Sequence, residues 1–163
     1  MYYCYYDSPL GKLLLAGTET NLHLIGFPSG KMHKQPLAIW QHRPHAFADC
    51  KQQLAEYFAG ERQYFDINYT LSGTAFQQQA LRAVAAVKYG STASYSDIAN
   101  AIANPAAVRA VGMANATNPL PIIIPCHRII GKNGSLTGFG GGLEAKRFLL
   151  NLETAITTTM CYA

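Results

Sequence analysis

The run Pro119-Leu120-Pro121-Ile122-Ile123-Ile124-Pro125 limits what this chain can fold into more than any other stretch. Its prolines at 119, 121 and 125 forbid a helix. Three consecutive isoleucines bury well and favour an extended backbone. The run ends in Cys126-His127-Arg128, so a thiol, an imidazole and a guanidinium stand side by side at the end of an apolar segment. Burying such groups without a purpose is costly. A free thiol with a pKa of about 8.5 is only a few per cent thiolate at neutral pH. A neighbouring base or cation would raise that fraction, and His127 and Arg128 are the nearest candidates. Adjacent side chains of an extended strand point to opposite faces. Either the backbone turns at Pro125, or a water bridges imidazole to sulfur. The second arrangement calls for a third group on the other imidazole nitrogen.

The segments before this run divide in two. Strands are predicted at Tyr2–Tyr6, Leu13–Ala16 and Leu22–Phe27, separated by turn-like Ser8-Pro9-Leu10-Gly11 and Gly17-Thr18-Glu19-Thr20-Asn21. An amphipathic helix over Phe47–Phe58 ends at Gly60. Gln63–Tyr69 alternates enough to be another strand, and a boundary near Leu71-Ser72-Gly73 follows. The division predicted is residues 1–70 and residues 71–163. In the second part Thr74 can cap a helix of about Ala75–Val87, and Ser94 or Ser96 a helix of Tyr95–Ala103. Pro105 can serve as the first residue of a third helix reaching Ala116. The last two are a helix-turn-helix candidate. Gly131-Lys132-Asn133-Gly134 reads as a hairpin turn. Gly138-Phe139-Gly140-Gly141-Gly142 leads into a last helix, Leu143–Glu153, and residues 154–163 read as irregular.

Charge is uneven. Residues 1–81 balance six Lys/Arg against six Asp/Glu, whereas residues 82–163 carry seven against three. The excess lies beside the cysteine motif and is consistent with a nucleic-acid partner, though a solvated basic face fits equally. No apolar run approaches the roughly 20 residues of a membrane span, and the first residues show no secretory signal. Cysteines 4, 50, 126 and 161 have no Cys-x-x-Cys spacing, which suits free thiols in a reducing cytosol. His23, His33, His42 and His45 lack paired cysteines at ligand spacing, so no zinc is expected and they read as surface residues. Gly138–Gly142 lacks the rest of a phosphate loop, which argues against nucleotide binding.

The helix predicted over 105–116 carries one long polar side chain, Arg109, among Ala106, Ala107, Ala110, Gly112 and Ala114. Small residues suit either tight packing or close approach to a phosphate backbone or minor groove. Readers of the major groove project longer polar groups, so DNA bound here is read by shape more than by sequence. Glu153 shares a helix face with Leu149 and Leu150. An acid facing the core at a helix C-terminus opposes the macrodipole and suggests a partner. From pattern alone, a frayed surface glutamate stays equally open.

Pro125-Cys126-His127-Arg128, preceded by Asn118-Pro119 and followed by Gly131 and Gly141-Gly142-Leu143, resembles the O6-alkylguanine-DNA alkyltransferases. The resemblance runs from about Gly73 to Glu153, with a weaker match before it. It implies an α/β fold with a mainly helical second part: an N-terminal ribonuclease H-like α/β domain and a C-terminal winged helix-turn-helix-like domain. It implies Cys126 as alkyl acceptor, His127 as base through a water, Glu153 as the group orienting His127, and Asn118 as a hinge. It implies Tyr95 on the guanine pocket, donating a proton to the leaving base. Ile129, Phe139 and Gly140 complete that pocket, with Phe139 where the family carries a tyrosine. The resemblance also implies Arg109 as the arginine that fills the stack after a base flips out. Arg128 and the small residues around Arg109 are the remaining DNA-contact candidates. The implied partner is double-stranded DNA carrying O6-alkylguanine (or O4-alkylthymine), bound in the minor groove by a cytoplasmic monomer without a cofactor. Two other classes fit less well. A cysteine hydrolase brings Cys and His together across the fold and not as sequence neighbours. A non-catalytic lesion binder would not need Cys126.

Overall fold

The computed structural model describes the backbone of residues 1–162 and the side chains of residues 1–155. The first half is a four-stranded sheet carrying one helix. Strands β1 (Tyr2–Ser8), β2 (Gly11–Gly17), β3 (Leu22–Gly26) and β4 (Gln41–His42) lie in the order β3-β2-β1-β4. β1 and β2 form an antiparallel hairpin, with Cys4 opposite Leu15. Ser8 holds its turn, accepting the Leu10 N–H and donating to the Gly11 carbonyl. Helix α1 (Ala48–Phe58) turns Cys50, Gln53, Leu54 and Tyr57 inward, the three-to-four spacing of one helix face. They join Cys4, Leu13 and Leu15 in the core.

The second half is mostly helical. It comprises α2 (Ala75–Ala85), β5 (Ala93–Ser94), α3 (Tyr95–Ala101), α4 (Val108–Ala116), β6 (Ile129–Ile130) and α5 (Leu143–Tyr162). Two capping boxes fix where α2 and α3 begin. Thr74 accepts the Gln77 N–H while the Gln77 side chain accepts the Thr74 N–H. Ser94 and Asp97 repeat the arrangement. Each box satisfies two helix N–H groups that have no partner in the helix itself. Thr74→Ala is expected to lower stability by about 1 kcal/mol, read as a lower urea midpoint with an unchanged slope. An unaltered midpoint would show that α2 does not depend on its cap.

Several expectations are corrected. Gln63–Tyr69 is not a strand. Only Tyr69 bridges to the sheet, at Leu22, and the Gln53 side-chain amide satisfies the Asp66 backbone instead. α4 begins at Val108 and not at Pro105. Ala103 ends the preceding helix at a φ of 57°, and Asn104-Pro105-Ala106-Ala107 forms a turn closed from the Ala107 N–H to the Asn104 carbonyl. Gly131–Gly134 does turn, but β6 pairs in parallel with β5, so it closes no hairpin. The segment after Glu153 is helical through Tyr162, which removes the helix-end argument for Glu153. The side chain of Cys161 lies outside the described residues. No helix among the described residues is long and apolar enough to cross a membrane.

Candidate active site

The isoleucine run is a tight turn and not an extended segment. The Ile124 N–H bonds the Leu120 carbonyl, and Ile122 sits at a φ of 75°, a region β-branched residues seldom occupy. Two things hold it there. Leu120, Ile122 and Ile124 are each buried, so the turn sinks alternate side chains into the core. Asn118 clamps the ends: its carbonyl oxygen accepts the Leu120 N–H and its amide donates to the Ile124 carbonyl at 2.9 Å.

The backbone then turns again at Pro125. Its φ of −79° and ψ of 63°, with a 2.7 Å bond from the Cys126 N–H to the Ile124 carbonyl, make an inverse γ-turn. One turn of 3-10 helix follows, Cys126–Arg128. Three residues per turn spread the side chains roughly 120° apart, so the strand-face objection does not apply. Cys126 and His127 are fully buried and Arg128 is 7 % exposed.

His127 and Arg128 meet at one carboxylate on α5. His127 Nε2 lies 2.8 Å from Glu153 Oε2. Arg128 grips both oxygens, Nε at 2.8 Å from Oε1 and Nη2 at 3.0 Å from Oε2, and Nη1 donates to the Val87 carbonyl. The Tyr57 hydroxyl donates to Oε2 from α1 at 2.6 Å. Burial alone would raise the Glu153 pKa, but the bonds from His127 and Arg128 more than offset it and bring it to about 2. Burial holds His127 below its ordinary value, so its ring is neutral at pH 7. A neutral ring beside an ionised carboxylate donates through Nε2. That leaves the Nδ1 lone pair free to accept, and Nδ1 is buried with no hydrogen bond to the protein.

The thiol is a protonated one. Burial pushes Cys126 up to about 11, against the Asn118 side chain, the Lys146 charge and nearby backbone N–H groups, which pull it down. The cation acting on the sulfur is thus Lys146 and not Arg128. Lys146 is fully buried, donating to the carbonyls of Ile129 and Thr137. Asn115 donates to the Cys126 carbonyl at 3.2 Å.

A pocket of about 580 Å³ opens beside α4, lined in part by Tyr95, Arg109, Gly112, Thr137, Phe139 and Gly140. Gly112 lies beside the Tyr95 ring, whose hydroxyl shares a 2.9 Å hydrogen bond with Thr137. Phe139 stands edge-on to Phe27. Cys126 and Ile129 are fully buried and do not line the pocket. Arg109, Ala106 and Ala110 are exposed and Ala107 is half-buried, the two earlier alanines lying in the turn before α4. Arg128 is turned inward onto Glu153, which corrects its reading as a DNA contact. Lys146, Asn115 and Tyr57 were not legible as site residues in sequence. Among the described residues no cluster of His, Cys, Asp or Glu could hold a metal ion.

A helix-turn-helix pair packed beside a buried thiol, with a histidine and a glutamate hydrogen-bonded next to it, defines a class: DNA-directed proteins built around one cysteine. The comparisons say which. Residues 75–155 match the 6-O-methylguanine DNA methyltransferase DNA-binding domain, and residues 1–71 match the ribonuclease-like domain of the same proteins. The chain belongs to the 6-O-methylguanine DNA methyltransferase family. A methylated-DNA–protein-cysteine methyltransferase of Methanosarcina acetivorans is 46% identical over 94% of this chain and 98% of its own. The constitutive one of Bacillus subtilis is 44% identical over 93% and 94%. A crystal structure of Mycobacterium tuberculosis OGT in complex with DNA superposes with a TM-score of 0.91, at 44% identity, over 96% of this chain and 94% of that one. The expected two-domain architecture, ribonuclease-like then DNA-binding, is the one found.

Proposed function

We propose that this protein repairs DNA by moving the alkyl group of O6-alkylguanine onto its own Cys126. The observation that carries the reading is the arrangement at the thiol. A buried cysteine stands next in sequence to a neutral histidine whose Nε2 is fixed by Glu153 and whose Nδ1 is left free to accept a proton. His127 takes the thiol proton through a bridging water. The sulfur attacks the alkyl carbon in line, the S–C bond forms, and the C–O6 bond breaks with its electron pair going to guanine. The base leaves after taking a proton, for which the Tyr95 hydroxyl is placed on the pocket. The products are a thioether and an unmodified guanine. No electron acceptor or second substrate is needed, so no cofactor is invoked. A thioether is not reversed by any group in the site, so each chain acts once.

A base stacked in a duplex cannot reach this sulfur. It must flip out, at a few kcal/mol, and Arg109 is the side chain to fill the gap. Ala106, Ala107, Ala110 and Gly112 allow α4 and the turn before it to approach a minor groove closely. Phe139 and Gly140 are the remaining pocket candidates, and Ile129, buried off the pocket wall beside Cys126, would meet the base only once it reaches the sulfur. Because Cys126 is buried off the pocket wall, the flipped base has to displace packing near Tyr95 to reach it. Asn118 braces the turn behind the thiol. We assign residues 1–70 to the ribonuclease-like domain and 71–163 to the DNA-binding and acceptor domain, in a cytoplasmic monomer.

Intact mass after incubation with duplex DNA carrying O6-methylguanine tests the proposal. The expected result is one methyl per chain, mapped to Cys126 and absent from Cys126→Ala. Tight binding without a mass change would leave a lesion-recognition module and sink the transfer mechanism.

A further inference from the structure

We propose that Tyr57 is a positioning residue for the transfer: its hydroxyl reaches from the N-terminal domain to fix the Glu153 carboxylate, and through it the imidazole that takes the thiol proton. The inference rests on the alkyl-transfer reading above. Three observations carry it. The Tyr57 hydroxyl is 2.6 Å from Glu153 Oε2, across 96 residues of sequence, and both residues are essentially without solvent exposure. The oxygen it contacts is the one that accepts from His127 Nε2. The Tyr57 ring is also locked in place, edge-on to Phe58 and Tyr89 and tilted against Phe65.

Among the described residues, Glu153 Oε2 therefore receives donors from His127, Arg128 and Tyr57. Each donor stabilises the charge on that oxygen, lowering the carboxylate's proton affinity and with it the pull on the other two. The Tyr57 hydroxyl tempers the pull of the carboxylate on the His127 N–H. Without it, Glu153 stabilises the charged imidazolium more strongly, and His127 keeps a proton to higher pH. A protonated His127 cannot accept from the thiol. Among the described residues, the other ionisable groups around the pair are Arg128 and Cys126 on the 3-10 turn, Lys146 on α5, and Tyr89 after α2. None of them is itself substituted in a Tyr57 variant. The sheet-bearing domain thus sets the proton affinity of a base that lies in the other domain.

The test is the pH profile of single-turnover methyl transfer, read together with the His127 imidazole titration by NMR, in the full-length protein. Tyr57→Phe keeps the ring and deletes the donor. The acid-side midpoint and the His127 titration are expected to rise together by roughly one pH unit, the size set by one hydrogen bond to a charged group. Incorporation of 3-fluorotyrosine at position 57 keeps the donor and makes it stronger, so both readouts are expected to move down. It also serves where Tyr57→Phe folds poorly. A purely structural Tyr57 would lower the unfolding midpoint and leave both pH readouts where the wild type has them, and that result would overturn the inference alone. A wild type that transfers no methyl would overturn the function first and the inference with it.

Discussion

Glu153→Ala is expected to lose about 3–5 kcal/mol of stability, because it strands the Arg128 guanidinium in the interior. Arg128 is 7 % exposed, and two of its three donor contacts end on Glu153. The lost charge pair is the smaller part of the effect. The larger part is the desolvated cation left without its carboxylate, so a second variant separates the two. In Arg128→Leu/Glu153→Leu neither member of the buried pair is left without its partner, and a pair of apolar side chains of similar volume is expected to restore much of the loss. Urea midpoints should order as wild type and the double variant above Glu153→Ala. Equal midpoints for all three would show that the pair is idle. The same Glu153→Ala chain leaves His127 free to rotate, and the transfer rate is expected to fall by about 10²–10⁴-fold, the usual worth of a positioned base.

Acid is expected to remove stability in two stages. The folded chain holds His127 neutral below its ordinary value of 6.5. An unfolded chain takes up that proton as pH falls through 6.5 and the folded one resists, so this contribution is full above 6.5 and declines beneath it. Glu153 behaves in the same sense lower down. Its folded pKa is about 2 against an ordinary 4.5, so its contribution is full above 4.5 and disappears as pH falls toward 2. The second stage is on the order of 3 kcal/mol. Denaturation midpoints at pH 8, 5.5 and 3 check both stages. Glu153→Gln has no carboxylate to protonate, so its midpoint should fall less between pH 5.5 and 3 than that of wild type. If the two proteins fall together over that interval, Glu153 is not what acid attacks.

Local chemistry was legible in the sequence and tertiary partners were not. Thr74 and Ser94 announced their helices because a cap is decided by residues three positions apart. The first three strands were legible from the turn-like Ser8-Pro9-Leu10-Gly11 and Gly17-Thr18-Glu19-Thr20-Asn21 that separate them. The isoleucine run was misread because propensity favours extension, while Asn118 and the burial of Leu120, Ile122 and Ile124 decide the turn. At the site, Cys126, His127 and Glu153 were found from a motif, a helix face and a resemblance. Tyr57 carried no signal, since an inward tyrosine on α1 reads as core whatever its hydroxyl touches. Basic residues misled for a related reason. Arg128 and Lys146 counted toward a charge excess, yet both are buried, as is Glu153. The exposed surface of that half keeps five Lys/Arg, at 82, 88, 109, 132 and 147, against Asp97 and Glu144, which still favours an anionic partner.

The full burial of Cys126 has a consequence over the lifetime of the molecule. A protein that acts once, as proposed above, has to reach its lesion with its sulfur intact. Cells contain soluble electrophiles and peroxides, and both consume thiolates in contact with solvent. A sulfur that is sealed from bulk solvent, and whose pKa burial pushes up to about 11, is chemically dormant toward both. In the proposed reaction, only a damaged base that has left its helix and entered the pocket brings the alkyl carbon and the sulfur together. The packing that slows the reaction with everything else is therefore what preserves the chain for its one substrate.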